Sequence, residues 1–403
     1  MKILMINKFL HPNGGSETYI FTLGNYLKEK GHSVEYFGME HDGRCVGNSV
    51  NVYTSNMDFH NVNVLQKVSY GFKTIYSIEA RKKLRLVLDD FKPDVCHLNN
   101  FNYQLTPSII LEIKKWSKEI GKDCKIVYTA HDYQLVCPNH MCNNPYTLEN
   151  CEKCLSRNYI NCTKDKCIHG STLKSMIGTC EATIWNALDV YKHIDKIVCC
   201  SEYLKSKLDT NKTLASKTIT IHNFTTKEQI DGIPFKRGYI LYFGRYSKEK
   251  GINTLLEACQ ELPNLRFVFA GNGSDEIIKN IRKIKNIGEV GFLSGDKLNN
   301  LISGAEFSIY PSEWYENCPF SVIESQMLGT PVIAADIGGI PELVEHEHTG
   351  LLFKSGKIES LVDAINKLYN DEKLRSQMIK NCLTKKYMTL DDYYEKIMEV
   401  YGG

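Results

Sequence analysis

Residues 310–330, YPSEWYENCPFSVIESQMLGT, decide the fold of the part of the chain in which they lie. A short apolar run at 307–310 predicts a buried strand, which the Pro-Ser pair that follows ends. A loop then carries Glu316, and apolar residues take on helical spacing from about Phe320. The pattern therefore places Glu316 ahead of a helix N-terminus and Glu324 about one turn inside that helix.

This arrangement favours a ligand that combines a phosphate with hydroxyl groups. The free backbone N–H groups at a helix N-terminus suit a phosphate. Glu316 and Glu324 cannot both face it, because like charges repel. They are better placed to accept hydrogen bonds from hydroxyls of a sugar and of a ribose. Two solvated glutamates beside an ordinary helix cap are the alternative.

The residues after this stretch complete a recognisable pattern. They comprise 329–334 (GTPVIA), 338–339 (GG), 341–344 (PELV) and 349–353 (TGLLF). With two glutamates separated by seven residues and a Gly-x-Pro-Val strand, the run resembles the C-terminal half of a large retaining glycosyltransferase family. This is glycosyltransferase family 4, group 1, which includes sucrose and glycogen synthases and bacterial polysaccharide transferases.

Composition is that of a soluble globular protein with two domains. The chain has 403 residues, of which 42% are hydrophobic and 24% charged. A net charge of +2 gives no field that would favour nucleic acid. No apolar run reaches the roughly 18 residues of a membrane span, and the N-terminal run is too short for a signal peptide. A cytoplasmic location is predicted, in which the 15 cysteines are thiols or metal ligands rather than disulfides.

The N-terminus predicts half of a Rossmann-like unit. A strand at Lys2–Ile6, a loop with Gly14 and Gly15, and a helix over about 18–30 follow one another. Ser16 is predicted to cap the helix. The loop lacks the G-x-G-x-x-G fingerprint, so an ordinary tight turn is the alternative. In the family that the chain resembles, this Gly-Gly loop faces the donor phosphates and the acceptor.

Two features of the first half suggest ligand contacts. A helix predicted over 70–90 carries the basic residues Arg81, Lys82, Lys83 and Arg85, which form a solvated face or contact anionic lipid head groups or a lipid pyrophosphate acceptor. His131 follows a strand at 125–129, where open α/β sheets bind ligands. By the resemblance, His131 positions the transferred sugar or stabilises charge near its anomeric carbon.

Seven of the cysteines lie between 137 and 180, a polar segment predicted to be an insertion without a core of its own. Cys151 and Cys154 have the spacing of metal ligands, and His140 and His169 lie nearby. A structural zinc is one hypothesis, and disulfides or free thiols are the others. The zinc would use ligands from Cys137, Cys142, Cys151, Cys154, Cys162 and Cys167.

Two cations mark the second half. Arg245 follows a strand at 239–243, with Gly244 at the turn, and Lys250 precedes a helix. Each alone is an ordinary surface charge, but together over a helix N-terminus they predict a diphosphate clamp. They also match the Arg, four residues, Lys pattern of the family that the chain resembles. There the pair holds the donor diphosphate and stabilises the charge that grows as it leaves.

Together these patterns predict an α/β protein with two Rossmann-like domains facing a central cleft, the GT-B fold, and a Cys-rich insertion in the first domain. The predicted divisions are an acceptor-side domain at 1–222 with the insertion at about 137–180, a linker at 223–237, a donor domain at 238–386, and a C-terminal helix at 387–403 that returns to the first domain.

The predicted function is that of a retaining glycosyltransferase. It moves a sugar from a UDP- or GDP-sugar to an acceptor hydroxyl, on a lipid-linked or polysaccharide acceptor of surface glycan synthesis such as capsule or O-antigen. Such an acceptor would bring the protein to the inner face of the membrane. No nucleic acid is expected as a partner. A nucleotide-sugar epimerase and an inactive GT-B partner subunit are the alternatives. The donor is assigned to Arg245, Lys250, Glu316, Phe320, Ser321 and Glu324.

The catalytic residues predicted from the resemblance are His131, Glu316, Arg245 and Lys250, with Gly14 and Gly15 on the acceptor side. No Asp-x-Asp motif occurs in the chain. No metal is therefore expected in the active site and no cofactor is required, since two cations can neutralise the diphosphate. The sequence assigns no catalytic base.

Overall fold

The computed structural model describes residues 1–56, 73–226, 229–230 and 232–402. It divides into two compact units, each of which is described by itself. Unit 1 comprises Met1–Tyr146, Cys151–Asn223 and Leu390–Gly403, and unit 2 comprises Thr147–Asn150 and Phe224–Thr389. The start of the helix predicted from 70, and three residues of the linker predicted at 223–237, lie outside the described residues.

The strands before residue 224 follow the apolar runs of the sequence. They are β1 (Lys2–Ile6), β2 (Ser33–Phe37), β3 (Val95–Leu98), β4 (Lys125–Ala130), β5 (Asn143–Asn144), β6 (Glu149–Asn150), β7 (Lys196–Cys199) and β8 (Thr218–Thr220). The large sheet of unit 1 has the order β2-β1-β3-β4-β7-β8, and all its recorded strand pairs are parallel. Strands β1 and β3 are almost wholly buried, as expected for parallel strands covered by helices on both faces.

The helices of unit 1 alternate with these strands. They are α1 (Gly15–Glu29), α2 (Ile78–Phe91), α3 (Ser108–Ile120), α4 (Ile160–Lys164), α5 (Thr172–Ala187), α6 (Glu202–Leu208) and α7 (Lys212–Ala215), with a 3₁₀ turn at Val190–His193.

Unit 2 repeats the design. Its strands are β9 (Ile240–Tyr246), β10 (Phe267–Gly273), β11 (Ile287–Glu289), β12 (Phe307–Tyr310), β13 (Val332–Ala335) and β14 (Gly350–Phe353). The sheet order β11-β10-β9-β12-β13-β14 corresponds to the Rossmann order 3-2-1-4-5-6, again with all recorded pairs parallel. The α/β class predicted from the sequence is confirmed in both units.

The helices of unit 2 cover both faces of this sheet. They are α8 (Ile252–Glu261), α9 (Asp275–Arg282), α10 (Gly295–Gly304), α11 (Phe320–Met327), α12 (Ile358–Asn370) and α13 (Glu372–Thr384), with 3₁₀ turns at Lys248–Lys250 and Ile340–Glu342. A large apolar cluster lies on one side of the sheet and a smaller one on the other. Among the described residues, no helix combines the length and apolar character that crossing a membrane requires.

The last helix, α14 (Leu390–Tyr401), belongs to unit 1. Its Tyr393 hydroxyl lies 2.7 Å from that of Tyr19, and its Tyr401 hydroxyl lies 2.6 Å from Nδ1 of His97. Burial lowers the pKa of His97 to about 3, so the ring is neutral. Buried hydroxyl and imidazole groups that satisfy one another hold α14 in place.

The start of α1 differs from the prediction. The helix begins at Gly15 rather than near 18, and its N-cap is Gly14, without a side-chain hydrogen bond. The predicted cap residue, Ser16, is already helical, and its hydroxyl accepts from Nδ2 of Asn100 at 3.0 Å. Ser16 therefore ties α1 to the segment after β3 instead of capping it.

Candidate functional site

The candidate site of unit 2 lies where the strand order reverses. Strands β9 and β12 are neighbours, and their following loops leave the sheet in opposite directions. Ligands of open α/β sheets bind outside the carboxyl ends of the strands at such a point. Arg245 lies near the end of β9 itself, not after the strand as the sequence predicted, because β9 continues to Tyr246. The 3₁₀ turn after β9 carries Lys250, and the loop after β12 carries Glu316.

Close backbone packing fixes these two loops against each other. Gly251 has a φ of +71°, and a Cβ there would lie 1.8 Å from the carbonyl oxygen of Pro311. The amide of Glu313 donates to the carbonyl of Glu249 at 3.0 Å. Only glycine fits at position 251, because a side chain would be both strained and in collision. The loops thus approach closely enough for their side chains to meet.

Lys250 and Glu316 form a buried ion pair. The ammonium of Lys250 lies 2.5 Å from Oε1 of Glu316, and the two side chains are only 17% and 9% exposed. The same ammonium donates to the Tyr310 hydroxyl at 3.1 Å. It also lies 5.3 Å from the centre of the Trp314 ring, within the range of a cation–π contact.

Three donors converge on one oxygen of Glu316. Besides Lys250, the Ser312 hydroxyl donates to Oε1 at 2.8 Å and the Trp314 indole N–H at 2.5 Å. In the described part of the chain, no hydrogen bond to Oε2 is recorded for this carboxylate. Glu316 is therefore held rigidly through its Oε1 atom.

The charges of the pair stabilise each other. Burial alone would raise the pKa of Glu316, but Lys250 and the hydrogen bonds from Trp314 and Ser312 hold it below its ordinary value. Burial would lower the pKa of Lys250, yet Glu316 and Tyr310 hold it above its ordinary value. Both groups are therefore charged at neutral pH.

The Gly-Gly pair of the sequence motif supports the Glu316 loop. Gly338 has a φ of +62°, and a Cβ there would lie 2.2 Å from the carbonyl oxygen of Glu316. The amide of Gly339 donates to that same oxygen at 2.7 Å. This role of the motif was not foreseen from the sequence.

Arg245 stands apart from this pair. Its side chain is 68% exposed, and its contact with Glu249 is long, at 3.9 Å. Tyr242 donates its hydroxyl to the Arg245 carbonyl at 2.6 Å, which fixes the backbone but leaves the guanidinium in solvent. The two predicted clamp residues therefore differ, one buried and paired, the other exposed.

Helix α11 begins directly after the Glu316 loop, as the sequence predicted. Its N-cap residue is Pro319, and no side chain caps this end of the helix in the described structure. The first amides, those of Phe320 and Ser321, are therefore placed for an anion. Glu324 lies within the helix and is partly buried.

The predicted site residues of unit 1 lie at its own sheet edge. His131 follows β4, and its Nε2 is 2.9 Å from Oδ1 of Asn99, which follows β3. Its ring packs edge-on against Tyr19 with centroids 5.0 Å apart. Burial lowers the pKa of His131 to about 4, so the ring is neutral at pH 7. Gly14 and Gly15 are both exposed at the start of α1.

Sequence reasoning missed Asn99, Ser312 and Trp314, which orient His131 and Glu316. Trp314 had a signal, since it lies two residues before Glu316 in the quoted stretch. Asn99 had a weaker signal, because it lies directly after an apolar strand. Neither pattern identifies a hydrogen-bond partner without the fold.

The structure bears on two predictions for the cysteine segment, its thiol chemistry and its lack of a core. Six cysteines line one small cavity: Cys137, Cys142, Cys151, Cys154, Cys162 and Cys167. The zinc hypothesis finds no support, because no group of three or more His, Cys, Asp or Glu in the described residues is placed to hold a metal ion. The segment also has a small core of its own, in which Cys154, Cys162 and Cys167 pack with Tyr159 and Ala182. Thiols serve there as apolar side chains.

The basic face of α2 is largely paired with carboxylates. Arg81 contacts Glu112 at 2.6 Å, and Arg85 contacts Glu119 at 2.5 Å. Lys83 contacts a glutamate one turn earlier at 2.8 Å. These ion pairs leave less positive charge for anionic lipid than the sequence suggested.

Comparison with known proteins identifies the family of the chain. The family description "Glycosyltransferase Family 4" matches residues 13–229, and "Glycosyl transferases group 1" matches residues 223–384. An uncharacterised 42.6 kDa protein in the cps region of Klebsiella pneumoniae is 24% identical over 362 residues, covering 85% of this chain and 87% of that protein.

Solved structures share the fold over the whole chain. Sucrose-phosphate synthase from Thermosynechococcus elongatus has a TM-score of 0.70 at 17% identity, covering 100% of this chain and 98% of that chain. Anabaena HepE in complex with UDP has a TM-score of 0.67 at 16% identity, with 100% of both chains covered.

Proposed function

Because the chain belongs to Glycosyltransferase Family 4 and also carries a group 1 glycosyl transferase domain, we propose that it moves a sugar from a nucleoside-diphosphate sugar to an acceptor hydroxyl, with the anomeric configuration retained. That it is a glycosyltransferase follows from the family. The donor, the stereochemistry and the acceptor are the proposal.

The Lys250–Glu316 pair carries the proposal. Lys250 follows Arg245 by five positions in the sequence, and both lie at the edge of the sheet where ligands of such sheets bind. Lys250 and the exposed Arg245 would hold the diphosphate and stabilise the charge that develops as it leaves. Glu316 would accept a hydroxyl of the donor sugar on Oε2, since its other oxygen already accepts three hydrogen bonds.

The start of α11 completes the donor site. The amides of Phe320 and Ser321 would add hydrogen bonds to the diphosphate, supported by the uncapped helix end. Glu324 would accept from the ribose hydroxyls one turn further on. Carboxylates suit hydroxyl groups in both places, because they only accept hydrogen bonds at neutral pH.

Unit 1 would handle the acceptor and the reacting sugar. His131 is neutral, so positioning the sugar through a hydrogen bond fits it better than supplying a positive charge. Asn99 fixes its ring. Gly14 and Gly15 would line the acceptor side, supported by their exposure.

UDP is the first candidate nucleotide, because HepE was solved with it, and GDP is the second. The cps-region relative supports a glycan acceptor of surface polysaccharide synthesis. A lipid-linked acceptor would bring the protein to the inner face of the membrane, although the ion pairs of α2 argue against a strong basic patch there.

Thermal unfolding with a panel of nucleotides and nucleotide sugars tests the donor site. A ligand at 100 times its Kd stabilises the folded state by about 2.7 kcal/mol. We expect UDP, GDP or one of their sugars to stabilise the wild type and to lose most of this effect in Arg245→Ala and Glu316→Gln. Lys248→Ala is the control and should bind the nucleotide normally, because it removes an exposed cation from the 3₁₀ turn that also contains Lys250.

Product analysis then separates transfer from the other reactions. Anomeric NMR signals of the product should show the configuration of the donor. Stabilisation by no nucleotide would refute the donor site. Conversion of the donor sugar without any acceptor would instead indicate an epimerase.

A further inference from the structure

Helix α5 of unit 1 turns apolar side chains toward solvent. With about 3.6 residues per turn, the residues on one side of this helix and at its C-terminal end are all apolar and exposed or partly exposed. They are Leu173, Met176, Ile177, Cys180, Ile184, Ala187 and Leu188. A surface helix ordinarily directs its apolar face to the core, so the amphipathicity of α5 is inverted. We call this set the α5 stripe.

The opposite side of α5 is held inward by specific contacts. The Ser175 hydroxyl accepts from the amide of Ile168 at 3.0 Å. The indole N–H of Trp185, a buried residue, donates to the carbonyl of Ile75 at 2.9 Å. A Cβ on Gly178 would lie 2.5 Å from Cδ1 of Ile168, so the helix approaches that residue closely. Turning the helix to hide the stripe would break these contacts, and the stripe therefore faces outward in the folded unit.

The exposed apolar surface is large for a single helix. Leu173 and Leu188, at its two ends, are each 59% exposed, and the distance along the helix axis between them is about 22 Å. Helix α4 packs beside α5, with the Thr163 hydroxyl 2.8 Å from the Thr179 hydroxyl. It adds a further exposed apolar residue, Ile160. Contiguous apolar surfaces of this kind mark interaction sites.

Positive charge accompanies the stripe. Three exposed lysines lie in residues 160–188, and in the part of the chain that the structure describes none of them has a recorded ion pair. They are Lys164, Lys166 and Lys174. The carboxyl groups of the same range are those of Asp165 and Glu181. Asp165 is paired with Lys153 at 2.7 Å, and burial raises the pKa of Glu181 to about 8, so that this group is mostly uncharged at neutral pH.

We propose that the α5 stripe docks on the surface of an anionic lipid bilayer, with the helix lying in the plane of the interface. The apolar side chains would enter the boundary between head groups and acyl chains, and the three lysines would contact lipid phosphates. The surface lies outside the donor site. It rests on the proposed function in one respect, that a bilayer would present the lipid-linked acceptor.

The composition of the stripe favours a bilayer over a second copy of the chain. Protein interfaces are enriched in aromatic residues and arginine and depleted in lysine. The stripe contains no aromatic side chain and no arginine, and lysines accompany it. In a symmetric dimer the same surface of both copies meets, which would bring these unpaired lysines toward one another. Lipid phosphates would instead neutralise them.

Co-sedimentation of the full-length protein with lipid vesicles tests the surface. We expect binding to vesicles of phosphatidylcholine and phosphatidylglycerol in equal parts, weaker binding at high salt, and little binding to phosphatidylcholine alone. Leu173→Gln and Ile184→Gln should each weaken the binding roughly tenfold. Lys164→Gln and Lys166→Gln should each weaken it about fivefold.

Helix α2 supplies the matched controls. Leu86→Gln and Lys82→Gln remove an exposed leucine and an exposed lysine from this helix of the same unit. Both variants should bind vesicles as the wild type does. Since the sequence pointed to the basic residues of α2 as a lipid contact, these controls also compare the two helices directly.

A thiol in the stripe reports its location without any substitution. Cys180 lies in the middle of the stripe and is exposed, as is Cys45, which lies outside it. With anionic vesicles present, alkylation of Cys180 by iodoacetamide should slow in proportion to the fraction of protein bound. Alkylation of Cys45 should keep its rate, as followed by mass spectrometry.

Three results would each overturn the inference: no binding to anionic vesicles, α2 controls that weaken binding as much as the α5 variants, and an unprotected Cys180 in the bound protein. A wild-type dimer that the α5 variants dissociate would overturn it as well and assign the stripe to a second copy. Stabilisation by the nucleotide is measured on every variant and should be unchanged. Its absence in the wild type would refute the donor site, whereas vesicle binding decides the docking surface.

Discussion

Replacing Lys250 by methionine should destabilise unit 2 by leaving a charge buried. Methionine keeps much of the length of lysine but removes the ammonium that lies 2.5 Å from Glu316. Both side chains are less than one-fifth exposed, at 17% and 9%. The Glu316 carboxylate would then stay in a site from which water is largely excluded.

The structure sets the expected magnitude. Removing one partner of a buried ion pair costs about 3–5 kcal/mol. Ser312 and Trp314 still donate to Oε1 of Glu316 in the variant, at 2.8 and 2.5 Å. These hydrogen bonds partly solvate the remaining carboxylate, so we expect the lower end of the range, about 3 kcal/mol.

A double-mutant cycle isolates the pair. Glu316→Gln leaves the ammonium with the Tyr310 hydroxyl and two aromatic rings and should cost about 2 kcal/mol. The double variant has no unpaired charge and should cost about 2 kcal/mol as well, which gives a coupling energy of about 3 kcal/mol. Urea titration measures these values, with Lys248→Met as the exposed control.

The pH dependence gives an independent check. The pKa of Glu316 is lowered on folding, so its stabilisation is present above roughly pH 4.3 and is lost as the pH falls through the folded value. The pKa of Lys250 is raised, so its stabilisation is present below roughly pH 10.4 and is lost as the pH rises through the folded value. The difference in free energy of unfolding between the wild type and the double variant should be largest between these two pH values.

Single-variant costs that simply add in the double variant would refute the reasoning, because they would mean that the two side chains do not interact. A gap between wild type and double variant that does not change on acidification would refute it as well. An altered slope of free energy against urea concentration would indicate a changed unfolding transition and not a lost ion pair.

Three further predictions follow from particular residues. Gly251→Ala should destabilise the protein well beyond Gly121→Ala. Both glycines have a positive φ, so alanine costs about 1–2 kcal/mol in backbone strain at either position, but only at position 251 would the Cβ collide with a backbone oxygen, at 1.8 Å. Equal urea midpoints of the two variants would contradict this. Iodoacetamide should modify the exposed Cys45 and Cys180 first in the native protein and the other thiols on unfolding, as seen by mass spectrometry; early labelling of the buried thiols would oppose it. His97→Gln should reduce the loss of thermal stability that the protein shows between pH 7 and pH 5. The pKa of His97 is about 3 in the folded protein, below its value in the unfolded chain, so the stability falls as the pH drops from 7 to 5. A loss of stability that is the same in the variant would exclude His97 as the cause.

The sequence predicted the strands and the loop position of Glu316 because both follow from local patterns. Buried parallel strands are short apolar runs, and β1, β4, β9 and β12 all coincide with such runs of the sequence. The loop position of Glu316 ahead of α11 needed only the helical spacing that begins near Phe320. Periodicity and turn residues are enough for features of this kind.

The contact between Lys250 and Glu316 was beyond local pattern. The two residues are 66 positions apart, and the resemblance assigned one to the diphosphate and the other to the sugar. Their contact depends on the close approach of Gly251 to Pro311, which only the folded sheet order creates. The core of the cysteine segment was missed for a different reason, since periodicity does not count thiols as apolar side chains.

The two sheet edges have different electrostatic character, which bears on the substrates they can hold. The edge of unit 2 carries a fully charged ammonium and carboxylate and an exposed guanidinium, Arg245, so it suits a diphosphate with hydroxyl groups beside it. At the edge of unit 1, His131 is neutral and burial raises the pKa of Asp132 to about 6. Uncharged and weakly acidic groups lose less free energy when water leaves than a bare charge does. His131 and Asp132 can therefore pair with neutral hydroxyl groups at a smaller desolvation cost than two charged side chains would require.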